Sequence, residues 1–126
     1  MLPICRSVLA ALLLTGAPVA PALAEGDPAN GEKVFRRCIA CHVIDQETNR
    51  LGPHLVGVYG RQAGAVDGYN YTQGLADADF VWDDATLDPW LADPKAVIPG
   101  TRMVLKLAKP EDRADVIAYL KNLNGQ

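Results

Sequence analysis

At 126 residues the chain has room for one domain of ordinary size and not for two. Its 12 Lys plus Arg against 15 Asp plus Glu give a formal charge of −3, which argues against nucleic acid or an anionic membrane as a general partner. So small a chain buries only a modest core of its own, and a bound apolar group would supply the missing centre.

The first residues read as a targeting segment. Arg6 gives a positive start, Val8 to Leu14 is an unbroken apolar run, and Thr15, Gly16, Pro18 and Pro21 break the chain beyond it. Ala22-Leu23-Ala24 has the small-x-small pattern of a cleavage site. Residues 1–24 are therefore expected to be a secretory signal, and residues 25–126 the single mature domain. A retained membrane anchor is the alternative, but the apolar run is well short of the ~20 residues a spanning helix needs. Cleavage would remove Cys5 and one arginine but no acid, taking the formal charge from −3 to −4.

Asp27-Pro28-Ala29-Asn30-Gly31-Glu32 opens a helix, with proline at an early helical position and acid read into the first turn. Its cap lies within Glu25 to Pro28. Val34, Phe35 and Cys38 fall on related faces, and the helix is expected to run to about His42.

The stretch Cys38-Ile39-Ala40-Cys41-His42 carries the chemistry. Two cysteines two residues apart, with histidine directly after the second, read as a c-type haem attachment site. On one helical turn both sulfurs reach the haem vinyl groups, and His42 projects beneath the iron as its proximal ligand. Half of a zinc site is one alternative, but zinc wants four ligands, and the only other cysteine and histidine are Cys5 and His54. A thioredoxin-like redox pair is another, and it needs a strand-helix-strand setting absent from this pattern. Covalent haem attachment needs free thiols outside the cytoplasm, which agrees with export and points to the periplasm.

From Val43 to Gly68 helix signals fade, and the glycines at 52, 57, 60, 64 and 68 predict loops and turns with little regular strand. Gly52-Pro53-His54-Leu55 is a turn whose proline has a free carbonyl. A metal-bound histidine gives its second ring N–H to such a group, so Pro53 is the candidate acceptor for His42. His54 reads as a surface residue in a solvated turn. Tyr69, Tyr71, Phe80 and Trp82 are amphipathic or apolar rings suited to lining a pocket or filling a core.

Asp84 is the candidate cap of a helix through Thr86, Leu87, Trp90 and Leu91, closed by Asp93-Pro94-Lys95. Val97 to Met103 comes next as an irregular loop. Met1 is the only other methionine, so Met103 is the natural sixth ligand of the iron; the alternative is a core filler. The last helix has Pro110 at its start, Glu111 and Asp112 in the first turn, a stripe of Val116, Ile117, Leu120 and Leu123, and Gly125 beyond its end. It is expected to pack across the first helix where Gly31 allows close approach beside Phe35 and Tyr119.

Three blocks in this order, Gly31 to His42, Gly52 to Gly64, and Trp82 through Met103 to Leu120, resemble class I cytochromes c, and among them bacterial cytochrome c2 and its mitochondrial relatives. The likeness spans residues 28–123. It implies an all-α fold in which the N- and C-terminal helices cross, and loops and short helices wrap one haem c held by Cys38 and Cys41. It implies His42 and Met103 as axial ligands and Pro53 as the carbonyl partner of His42. It also implies Arg61, Tyr71 and Trp82 at the buried haem propionate and Thr101 beside the methionine loop. Two departures stand out: His54 where asparagine is usual, and Trp90 where a tyrosine commonly approaches the methionine sulfur.

The function so implied is that of a soluble, monomeric, periplasmic mono-haem electron carrier and not an enzyme. The resemblance suggests the cytochrome bc1 complex as donor and a terminal oxidase or photosynthetic reaction centre as acceptor. Arg37, Lys95, Arg102, Lys106 and Lys109 lie near the attachment motif or the methionine loop in sequence and are expected to form a positive rim for acidic partners. The rival is a haem enzyme or gas sensor acting on peroxide, nitric oxide or carbon monoxide, which needs an open iron position. A haem subunit serving one dedicated dehydrogenase would keep the same chemistry and change only the partner.

Overall fold

The computed structural model describes residues 25–125; the expected signal and Cys5 lie outside them. Helix α1 (Pro28–Phe35) is capped by Asp27, whose carboxylate accepts the Ala29 N–H, with Pro28 in the first turn where a missing N–H costs nothing. No acid lies in that first turn; Glu32 comes one turn later. The helix also ends earlier than its pattern suggested. After Phe35 the ladder tightens to three-residue bonds, Arg36 to Lys33 O, Arg37 to Val34 O and Cys38 to Phe35 O, and Arg36 to Cys41 run as turns.

Irregular chain fills the stretch from there to Thr72, as the recurring glycines predicted. The one isolated β-bridge among the described residues joins Gln62 to Val81. Helix α2 (Gln73–Ala76) is a single turn in what the sequence reads as a polar connection. Helix α3 (Asp84–Ala92) is capped by Asp83, one residue before the expected Asp84. Asp83 and Thr86 satisfy each other reciprocally, Thr86 N to Asp83 Oδ1 at 3.0 Å and Asp83 N to Thr86 Oγ1 at 2.9 Å. Asp84 serves elsewhere, accepting from Tyr59 Oη and Lys121 Nζ. Helix α4 (Pro94–Val97) adds one turn where the sequence predicted only closure.

Helix α5 (Pro110–Leu123) matches its start and stop signals. It packs against α1 through Gly31, where a β-carbon would lie 2.8 Å from Tyr119 Cβ and overlap the Asp115 carbonyl. The Phe35 and Tyr119 rings meet at 5.5 Å. Asp115 fastens the far end by accepting from the Asp27 N–H at 2.7 Å and Asn30 Nδ2 at 2.5 Å. The core gathers Phe35, Trp82, Leu87, Trp90, Leu91, Val116 and Leu120 from α1, α3, α5 and the loop between them. Among the described residues no helix is long and apolar enough to cross a membrane.

Candidate functional site

A cavity of about 640 Å³ opens between these elements, and Cys38, Cys41, His42, Pro53, Arg61, Tyr71, Trp82, Trp90, Thr101 and Met103 all border it. Cys38 and His42 come to it on one turn, closed by His42 N to Cys38 O at 3.0 Å. The geometry that the attachment motif requires thus exists without a continuous helix. Burial pushes the Cys38 thiol up to about 11, against the opposing charge of Arg37, so it stays protonated and slow to oxidise at neutral pH. Both cysteines are free thiols.

His42 is set by its neighbours. Its Nδ1 lies 2.7 Å from the Pro53 carbonyl oxygen, which can only accept, so Nδ1 carries the proton. Burial lowers the ring's pKa, opposed by the Pro53 hydrogen bond and reinforced by Arg61. The imidazole is therefore neutral near pH 7, with an unshared pair at Nε2 available to a metal. Gly52 N donates to Cys41 O at 2.9 Å and ties the Pro53 turn to the attachment turn. Among the described residues no three His, Cys, Asp or Glu side chains form a group able to hold a metal ion, so the zinc alternative lacks its ligand set.

Met103 arrives on the chain between α4 and α5. Thr101 is buried, and its Oγ1 accepts the Met103 N–H at 3.4 Å. Trp82 and Trp90 stack obliquely at 5.2 Å as part of the wall, and neither indole N–H has a hydrogen-bond partner among the described residues. Tyr71 accepts the Val66 N–H at 3.2 Å, leaving its hydroxyl proton free to donate.

The structure adds details that the sequence reading of Arg61 and His54 did not contain. Arg61 donates to the carbonyls of Val56 and His54, yet its Nε is buried without a partner; Thr72 Oγ1, on the same cavity wall, is likewise orphaned. His54 is half-buried rather than a solvated surface residue: its N–H takes Asn49 Oδ1 and its Nδ1 is buried and unpaired. Leu51 and Val104, 80% and 70% exposed, give the cavity mouth an apolar edge. Of the five basic residues expected to form a rim, Arg37 and Arg102 border the cavity, whereas Lys106 is paired with Asp93 at 2.7 Å.

An apolar chamber that takes two thiols and a neutral imidazole from a single turn defines a c-type haem protein. The chain matches the family model for cytochrome c over residues 28–124. It is 46% identical over 109 residues to cytochrome c2 of Rhodomicrobium vannielii, covering 85% of this chain and 87% of that protein. Over 121 residues it is 38% identical to cytochrome c2 of Blastochloris viridis, covering 94% of each. The solved structure of cytochrome cH from Methylobacterium extorquens aligns with a TM-score of 0.72 at 46% identity, covering 77% of this chain and 99% of that one. The chain belongs to the cytochrome c family.

Its cofactor is accordingly haem c, attached through Cys38 and Cys41, and its activity is that of a mono-haem electron carrier. The chamber fits that group on its own evidence. Its wall is built from apolar and aromatic side chains, the thiols stand at its border, and the orphaned Arg61 Nε and Thr72 Oγ1 are the buried donors that the carboxylates of a haem would satisfy.

Proposed function

We propose that residues 25–126 are the mature form of an exported periplasmic carrier, released by cleavage after Ala24, in which His42 and Met103 are the axial ligands of the haem iron. The observation that carries this reading is that His42, held by Pro53, and Met103, held by Thr101, border the same cavity as both attachment cysteines. The haem supplies a one-electron couple, and a thioether ligand beside an imidazole raises its potential.

The chain's own residues keep that couple still and dry. Pro53 fixes the imidazole plane. Thr101 fixes the backbone at Met103, so the same ligands serve both oxidation states and little rearrangement opposes transfer. Arg61, Thr72, Tyr71 and Trp82 would hold the haem carboxylates and keep their charge from water, while Trp90 forms part of the same wall. Were His42 and Met103 both to hold the group, neither would leave it open to a substrate, and the protein would serve as a carrier rather than an enzyme. Its donor is the cytochrome bc1 complex and its acceptor a terminal oxidase or photosynthetic reaction centre, met as a monomer through the apolar edge of Leu51 and Val104 and the basic residues around it.

Optical spectra of both redox states with a redox titration test this. The oxidised holoprotein is expected to have the sulfur-to-iron charge-transfer absorption, and Met103→Ala to abolish it and lower the midpoint potential. An unchanged spectrum and potential in that variant would overturn the assignment.

A further inference from the structure

The chain holds two Asn-Gly pairs, Asn30-Gly31 and Asn124-Gly125, and the fold sets them at opposite extremes of local stability. Such a pair is reactive because the glycine nitrogen can attack the side-chain carbon of the asparagine before it. Glycine permits this best, having no β-carbon to block the approach and the freest backbone rotation.

Asn30 and Gly31 lie inside α1 and against α5. The Gly31 N–H donates to Asp27 O at 2.8 Å, and Gly31 is buried where the Asp115 carbonyl and Tyr119 Cβ leave no room for a β-carbon. Asn30 Nδ2 donates to Asp115 Oδ2 at 2.5 Å. Freeing this nucleophile and this amide therefore means parting the crossing of the terminal helices.

Asn124 ends α5 at φ −71° and ψ −16°, and both it and Gly125 are exposed. The Gly125 N–H donates only to Asn122 O, at 3.2 Å, and a β-carbon at Gly125 would meet nothing nearer than that oxygen at 3.6 Å. Among the described residues the Asn124 side-chain amide has one tie, from Nδ2 to the Tyr59 carbonyl. Opening a frayed helix end costs close to nothing, whereas opening a packed element costs up to the full stability of the fold.

We propose that Asn124 is a site of spontaneous deamidation in the folded protein, and that the α1–α5 crossing keeps Asn30 from the same reaction. Gly125 N loses its proton and bonds to Asn124 Cγ, and the Cγ–Nδ2 bond breaks to release ammonia. Water then opens the cyclic imide at either carbonyl, giving aspartate or isoaspartate. One water is consumed for each ammonia released, with no change of oxidation state. Either product puts a carboxylate in place of the Nδ2 donor, and a carboxylate cannot donate to the Tyr59 carbonyl. The reaction thus unfastens the end of α5 from the segment carrying Tyr59 and adds one negative charge. Neither Asn124 nor Tyr59 borders the cavity, so the chamber keeps its lining.

The experiment incubates the holoprotein in mildly alkaline buffer, native and in urea, and follows the amide-to-acid mass gain at residues 30 and 124 by peptide mapping. In the native protein residue 124 should convert at least about tenfold faster than residue 30, a barrier difference of about 1.4 kcal/mol or more. In urea the two rates should come together. Gly125→Ala should slow native conversion at residue 124 by about tenfold, with a melting temperature near that of wild type. Asn124→Asp, the product made directly, should melt below wild type with an unchanged midpoint potential.

Equal native rates at residues 30 and 124 would overturn the proposal, as would a native residue 124 that stays an amide, whether or not the protein in urea converts. Gly125→Ala reacting as fast as wild type would overturn it too, by placing the attack on water rather than on the glycine nitrogen. An Asn124→Asp protein that melts with wild type would overturn the unfastening.

Discussion

Gly52 lies against the imidazole of His42, such that a β-carbon there would stand 2.7 Å from Nδ1 and overlap Cε1. The same ring is fixed at Nδ1 by the Pro53 carbonyl, so it cannot swing away without losing that bond. Gly52→Ala is therefore expected to destabilise the holoprotein by about 1–3 kcal/mol through overpacking. Denaturant unfolding measures the loss, and a shifted haem absorption reports the tilted ring. Wild-type stability and spectrum together would mean that the turn relaxes freely.

At the crossing of the terminal helices two effects of Gly31→Ala oppose each other. Alanine gains about 1 kcal/mol in helix propensity over glycine. Against that, the new methyl meets the backbone carbonyl of Asp115 and Tyr119 Cβ, neither of which is the free end of a flexible side chain. The clash wins, and a net loss of roughly 2 kcal/mol is expected in urea unfolding of the holoprotein. A stabilised variant would show that the helices separate at little cost.

The attachment motif and the last helix were legible because their information is local: two thiols and an imidazole within five residues, and Pro110 and Gly125 bounding an apolar stripe. The end of α1 was not, since Arg36 and Arg37 are good helix formers that give no stop signal, and only the i→i+3 bonds mark the change. Asp83 and Asp84 are chemically identical candidates for a cap; tertiary use of Asp84 by Tyr59 and Lys121 leaves Asp83 to take it. The single turns α2 and α4 are too short to leave a period. Thr72 and the half-buried His54 depend on which side chains fold over them, and a sequence does not carry that.

Lys106 holds the Asp93 carboxyl below its ordinary value of 3.8, chiefly through their hydrogen bond. A depressed carboxyl stabilises the folded state fully above its unfolded value, and the gain is lost as pH falls through the lower folded value. Lys106→Gln should thus have a lower urea midpoint than wild type at pH 7, with the two converging only below the ordinary value of 3.8. A gap that persists unchanged into strong acid would show that this pair is not its source.

The same pair masks one cation near the cavity. Lys95 and Lys109 are exposed and unpaired among the described residues, whereas Lys106 is neutralised by Asp93. Asp93→Asn frees that charge, so electron transfer with an acidic partner should be faster than wild type at low salt. The advantage should vanish near 1 M salt, where the screening length is about 3 Å. Identical rates at low salt would mean that residue 106 lies outside the docking surface.

The contact of Asp27 with Asp115 closes a span of 88 residues. A ribosome adding about 5–20 residues per second needs roughly 4–18 s to make that span, and until then the segment leading into Cys38 has nothing to fold onto. Both thiols thus stay open on the growing polypeptide, and they become sheltered only when its final helix is there to pack against the first.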